Sequence, residues 1–223
     1  MSDKNKHIAV VDPGTHTPEL SCFNFISSQA PNLSFSYHLP AMVGMASLTQ
    51  LEPKISGIIM LGSSSSVYDN FDWQVSLERW LREQWEKKIP TLGICYGHQL
   101  LAHMFGGKVA FVNDEETKLQ GFRSVDLQAC PLWEKKAGPL FVSHREAVVQ
   151  CPETMEIIGS SPAIAIEALQ HRTLPIWSLQ AHPETTTGFL NNQKHDPAEG
   201  TKENLQLGYE IVRGFLRYVE SRH

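Results

Sequence analysis

Three side chains in this 223-residue sequence have the types and setting for nucleophilic, covalent chemistry: Cys95, His182 and Glu184. Cys95 is flanked by Gly93 and Gly97 as G-x-C-x-G, with an apolar run before it and a helical pattern after it. Small flanking residues permit a tight strand-to-helix turn that lifts a nucleophile clear of a sheet, the thiol counterpart of the G-x-S-x-G elbow. A helix N-terminus behind the sulfur would place positive potential and free N–H groups beside it, which favours the thiolate. A lone cysteine more often just ends a buried strand. The two glycines and the helix restart argue for the reactive setting here.

A nucleophile needs a base, and the base needs an orienting group. His182 and Glu184 stand two apart in Ala181-His182-Pro183-Glu184, so an extended backbone turns both side chains to one side. Pro183 between them discourages a helix. The pair follows the apolar run Ile176 to Leu179, at the strand end where open α/β sheets usually hold their chemistry.

The elements that must position these groups are legible in outline. Continuous apolar runs at Ile8–Val11 and Ile55–Leu61, with abrupt Gly or Pro ends, suit central parallel strands covered on both faces. Leu33–Leu39 and Pro90–Ile94 read as two more. Trp73, Leu77, Trp80, Leu81 and Gln84 recur at helical spacing within Phe71–Lys88, with Asp69 or Asn70 as the expected cap and Pro90 after the end. The next helix is expected over Gly97–Phe105. After Gly106-Gly107 the texture is strand-rich, with strands expected at 108–112, 119–127, 140–142, 155–158, 164–169 and 176–179. Residues 185–204 read as a polar surface loop, and Leu207 to Val219 as a terminal amphipathic helix. The expected fold is α/β: one doubly wound, flavodoxin-like mixed sheet with flanking helices and a strand-rich C-terminal half, in a single domain over 1–223.

Composition narrows the function classes. Hydrophobic residues make up 41% and charged residues 19%, a globular profile. A net charge of −5 and the lack of a basic run argue against nucleic-acid binding. No apolar stretch approaches a membrane span or an export signal, so a cytoplasmic protein is expected. Cys22, Cys95, Cys130 and Cys151 form no metal-binding spacing and are expected as reduced thiols, and no phosphate-cradling G-x-x-x-x-G-K-[ST] motif or other cofactor motif is present.

GICYGHQ around Cys95 followed downstream by AHPE resembles the class I glutamine amidotransferase family. Two further stretches share the resemblance in the family's order: GIIMLGSSSSVYD is similar to its oxyanion strand and loop, and FVSHRE to the loop that holds the glutamine backbone. Both look most like the amidotransferase part of GMP synthetases. The resemblance runs from about Ile8 to Glu184. It implies that Cys95 attacks the side-chain carboxamide of L-glutamine to give a γ-glutamyl thioester. His182 would protonate the departing ammonia and then activate water, with Glu184 orienting it. Backbone N–H groups of Ser63 and Tyr96 would hold the oxyanion, Gly62 and Gln99 would shape the pocket, and Ser143 and His144 would meet the α-amino and α-carboxylate ends. No cofactor is implied, and the partner would be a separate ammonia-accepting synthase.

Two departures bear on substrate choice. Relatives carry Gly-Gly-Pro where this chain has Gly62-Ser63-Ser64, so Ser63 is expected to carry a conformation suited to glycine. Arg145-Glu146 replaces Gly-Asp beside the expected substrate. They keep open a stand-alone γ-glutamyl hydrolase using the same triad; a catalytically silent partner-binding relative fits the intact triad less well, and a cysteine peptidase is disfavoured because the elbow context suits amide side chains better than extended peptides. His98 and His103 read as packing or solvent residues, and His171, His195 and His223 as partnerless surface residues.

Overall fold

The computed structural model describes residues 6–51 and 54–222. In chain order its elements are β1 (His7–Val11), α1 (Leu20–Ser28), β2 (Ser34–His38), α2 (Pro40–Val43), α3 (Ala46–Thr49), β3 (Ile55–Met60), α4 (Asp72–Glu86), β4 (Thr91–Ile94), α5 (Tyr96–Met104), β5 (Lys108–Phe111), β6 (Leu119–Leu127), β7 (Lys136–His144), β8 (Glu146–Gln150), β9 (Met155–Ser160), β10 (Ala168–His171), β11 (Ile176–Leu179), α6 (Thr187–Asn192), a 3₁₀ turn (Pro197–Glu199) and α7 (Lys202–Ser221).

Nine strands form one mixed sheet in the order β2-β1-β3-β4-β11-β10-β9-β6-β7. The pairs from β2 through β11 are parallel, and those from β11 through β7 antiparallel. The uninterrupted apolar runs sit where both faces are covered. On β1, Ile8 and Val10 pack with Ile211, Val212 and Phe215 of α7, while Ala9 and Val11 pack with Leu77 and Leu81 of α4 and Leu100 of α5. Alternate side chains thus feed two cores, the signature of a doubly wound sheet. At its far end the sheet curls back, and the His182 N–H donates to the Phe141 carbonyl of edge strand β7 (2.8 Å). That closure brings β7 beside the end of β11.

Several local expectations are corrected. Residues 185–204 are not one polar loop: Thr186 caps α6 by accepting from the Phe189 N–H, and Thr201 caps α7 by accepting from the Asn204 N–H. Phe189 and Leu190 are buried, which ties the segment down. The N-cap of α4 is Phe71, whose N–H donates to Gln74 Oε1 (2.8 Å), rather than Asp69 or Asn70. The strand expected over 164–169 is β10, shifted to Ala168–His171; Ile164 and Ile166 are buried as packing residues before it. Helix α1 and strand β8 lie outside the sequence expectations: α1 lacks polar contrast, and β8 is a short strand next to a charged turn. His171 is buried, its Nδ1 accepting from the N–H groups of Thr173 and Leu174 (3.1 and 2.9 Å), and His195 pairs with Glu199 (3.0 Å). Neither is a partnerless surface residue, and His223 lies outside the described residues. His98 is a core residue beside Ser178 Oγ (2.8 Å).

Candidate active site

Cys95 is the N-cap of α5, with φ 51° and ψ −103°. A non-glycine residue in that region is strained, and it persists because its neighbours over-determine it. The Cys95 N–H donates to the Leu179 carbonyl (2.9 Å), tying the elbow to the end of β11, while Gln99 N–H donates to the Cys95 carbonyl (3.0 Å) to start the helix. Both flanking glycines are required by space. A Cβ on Gly93 would lie 2.5 Å from Leu101 Cδ1 and 2.7 Å from the Gly97 carbonyl oxygen, and one on Gly97 would lie 2.7 Å from the Met60 carbonyl oxygen. The first N–H groups of α5, beginning with Tyr96, have no intrahelical acceptor.

Gly62 follows β3 and faces both candidate reacting groups. A Cβ there would come 2.9 Å from His182 Cε1 and 3.8 Å from Cys95 Sγ. Its glycine is therefore explained by room. Ser63 is not among the described residues with positive φ, so the strain expected from replacing a glycine is absent. Its hydroxyl donates to the Pro13 carbonyl (2.8 Å) and accepts from the Ser65 N–H (3.1 Å), which holds the turn.

His182 Nδ1 lies 2.9 Å from Glu184 Oε1, and both side chains are buried. Its Nε2 makes no hydrogen bond among the described residues and is free for a ligand. Burial alone would lower the imidazole pKa, but the adjacent Cys95 and then Glu184 outweigh it and hold it up to about 10. Cys95, His182 and Glu184 line one cleft of about 530 Å³ with Gly62, Ser63, Gln99, Ser143 and His144. Of the residues expected at the site, only Tyr96 is absent from that lining; its side chain points into the core, where its hydroxyl accepts from Gln74 Nε2 (2.9 Å), and the expectation concerned its backbone alone.

His144 is buried at the end of β7, where it also lines the cleft. Its Nδ1 lies 2.9 Å from the Glu146 carbonyl, which can only accept, and its Nε2 lies 3.1 Å from Arg123 Nη2, which can only donate. The ring is therefore the neutral Nδ1–H tautomer. Burial, then the Arg123 charge, lowers its pKa to about 4. Arg123 is itself paired with fully buried Glu167 (2.8 Å), whose Oε1 also accepts from Ser161 Oγ (2.6 Å).

Sequence reasoning missed several residues here. Gln180 is buried and donates from Nε2 to Cys95 Sγ (3.6 Å), while its Oε1 accepts from Gln99 Nε2 (3.2 Å). Gln99 Nε2 also donates to the Glu146 carbonyl (2.6 Å). Gln180 alternates with His182 along the chain, a signal that could have found it. Glu19, Lys118 and Gln193 also line the cleft and come from segments without any chemical motif. Burial, opposed by the Asn192 hydrogen bond, pushes the Glu19 carboxyl up, with Asp12 and Glu184 adding to it. Among the described residues no group of three or more His, Cys, Asp or Glu is arranged to hold a metal ion, and no helix is long and apolar enough to cross a membrane.

Comparison with known proteins bears on the family and the fold. The family described as "Glutamine amidotransferase class-I" matches residues 37–195. The chain is 34% identical to a GMP synthase [glutamine-hydrolyzing] of Phocaeicola vulgatus over 135 residues, covering 60% of this chain and 25% of the relative. It is 31% identical to one of Staphylococcus aureus over 179 residues, 79% of this chain and 30% of the relative. The chain thus spans less than a third of the length of these relatives. Among solved structures, a glutamine amidotransferase from Thermotoga maritima superposes with a TM-score of 0.75 at 17% identity, covering 97% of this chain and 99% of that one. A glutamine amido transferase from Methylobacillus flagellatus gives a TM-score of 0.67 at 19% identity, covering 99% and 96%. The chain belongs to the class I glutamine amidotransferase family and is similar to GMP synthases within it.

Proposed function

We propose that the chain hydrolyses the side-chain carboxamide of L-glutamine through a thioester on Cys95 and delivers the ammonia to a separate synthase. The observation that carries this reading is the strained Cys95 elbow facing, across the glycine at 62, an imidazole whose Nε2 is free and whose Nδ1 is held by Glu184. In the proposed reaction Cys95 Sγ adds to the carboxamide carbon. The oxyanion is met by the N–H groups of Tyr96 and Ser63, donors commonly worth ~3–4 kcal/mol each in a transition state. His182 Nε2–H protonates the leaving nitrogen, and ammonia departs from a γ-glutamyl thioester. His182, now neutral, takes a proton from water as it attacks that carbonyl, and collapse of the intermediate releases glutamate and the Cys95 thiolate beside the recharged imidazole. A raised pKa keeps the imidazole charged before the first step, which suits it as the acid.

The synthase partner is inferred from relatives named as glutamine-hydrolyzing GMP synthases, of which this chain matches only a part. Hydrolysis of other γ-glutamyl amides is the second reading, and the exposed Arg145 on the cleft wall favours it, because it adds charge where relatives carry glycine. The test is glutamate release by the purified chain from L-glutamine and from small γ-glutamyl conjugates, alone and with candidate synthases. Glutamine turnover that rises with a synthase supports the first reading. Strong turnover of a conjugate with little of glutamine would replace it with the second.

A further inference from the structure

The buried amide of Gln180 can take only one orientation, and a backbone carbonyl two side chains away sets it. Gln99 Nε2 lies 2.6 Å from the Glu146 carbonyl oxygen, which can only accept, so the Gln99 group there is its NH2. The same nitrogen lies 3.2 Å from the Gln180 amide, which must therefore turn its oxygen toward Gln99. That leaves the Gln180 NH2 against Cys95 Sγ, at 3.6 Å. The Glu146 carbonyl is also held by the His144 Nδ1–H (2.9 Å), and His144 Nε2 by Arg123, which pairs with Glu167. Glu167 closes the circuit, because its backbone carbonyl accepts from the Gln180 N–H (2.7 Å). Reversing the Gln180 amide would set two NH2 groups against each other and break a buried hydrogen bond.

A fixed N–H donor beside sulfur tells the two forms of a cysteine apart. A thiol is a weak acceptor, and its own proton cannot go to an NH2 group; a thiolate makes a charge-assisted bond. We propose that Gln180 holds the Cys95 sulfur as the thiolate, and that the Glu146 carbonyl, acting through Gln99, obliges it to do so. The inference rests on Cys95 being the nucleophile, and it adds a neutral side chain that touches the reacting atom. Gln99 and Glu146 act through Gln180 and are positioning residues. The charged groups that act on Cys95 are His182 after β11, backed by Glu184, and Lys118 before β6. The turn at 62–66 after β3 carries no charged side chain. Substitution at 180 changes none of these groups.

The test uses the full chain and the neutral reagent iodoacetamide, with the adduct on Cys95 located by peptide mass spectrometry. The alkylation rate at neutral pH is divided by the same protein's alkaline plateau, so that a change in access to the sulfur cancels. Gln180→Met keeps the length of the side chain and removes the donor; it should lower the ratio about tenfold, the range of a hydrogen bond to a charged group. Gln99→Met should lower it less, because Gln180 keeps its donor and loses only what orients it. An unchanged ratio in the Gln180→Met protein, or a larger loss in the Gln99→Met protein, would overturn the proposal. In the unmodified chain, the side-chain amide signal of Gln180 should follow the alkylation profile as pH changes, a measurement that needs no variant to fold; a signal indifferent to that transition would also overturn it. Failure of the hydrolytic reading is distinguishable, because alkylation requires no substrate: a chain that alkylates as expected but releases no glutamate loses that reading alone.

Discussion

The two walls of the cleft each carry one buried histidine, and the two are driven to opposite charge states. His182, at the end of the parallel half of the sheet, faces Cys95 and Glu184 and is held up to about 10. His144, on the curled antiparallel half, faces Arg123 and is held down at about 4. Both rings are almost fully buried, so desolvation disfavours the charged form in each. The sign of the neighbouring charge decides the outcome. One ring is held toward its charged form; the other is a fixed, neutral support for the Glu146 carbonyl, which it shares with Gln99.

Removing the charged ring or its nucleophile should have the largest effect. Cys95→Ala and His182→Ala should each lower glutamine hydrolysis by roughly 10³-fold or more, with folding intact by circular dichroism. An electrophilic glutamine analogue should label Cys95 and no other cysteine; an adduct elsewhere would refute the elbow assignment. Glu184→Gln should be milder, on the order of 10²-fold, because glutamine still accepts from Nδ1–H but cannot balance an imidazolium. Equal losses in the His182 and Glu184 variants would mean that Glu184 moves a proton itself.

The supporting wall should break in stability instead. Arg123→Met leaves Glu167 charged and buried without its partner, a loss of about 3–5 kcal/mol in urea unfolding. The variant should also raise the His144 pKa, visible by imidazole NMR. If stability falls by less than half that amount, the ion pair is not holding the wall.

The pH dependence of stability sharpens the contrast, because the signs differ. His182 is raised in the folded state, so its contribution is complete below the unfolded value of 6.5 and is lost as pH rises through about 10. His144 is lowered, so the unfolded chain takes up the proton first and stability falls as pH drops from 6.5 through about 4. His182→Asn should therefore flatten the alkaline limb of the stability profile and His144→Asn the acid limb. A His182→Asn profile that still fell toward pH 10 with unchanged slope would contradict the pairing with Cys95 and Glu184.

The smallest effect is expected at Ser63. Its backbone is not left-handed, so Ser63→Gly relieves no strain and loses only the hydroxyl's bonds to the Pro13 carbonyl and the Ser65 N–H. Stability should fall by about 0.5–1.5 kcal/mol, and the turnover rate should stay within a few-fold of the original. A large gain in activity would show that the serine misplaces the turn.

Local pattern was enough for the elbow, for the pairing of His182 with Glu184, and for the parallel half of the sheet. Each rests on residues close in sequence: glycines two positions either side of a cysteine, an extended two-residue step, and apolar runs with glycine or proline ends. Those signals are stereochemical and survive without knowledge of the rest of the chain. Tertiary structure alone decided the supporting wall and the amide relay to Cys95. Arg123 meets Glu167 across 44 residues, Gln99 meets Gln180 across 81, and Gln180 reaches Cys95 across 85. Polar side chains of this kind carry no periodicity that names a distant partner. Their pairing follows from the curl that returns β7 to the end of β11, and from the parallel pairing of β11 with β4 that sets Gln180 beside the elbow.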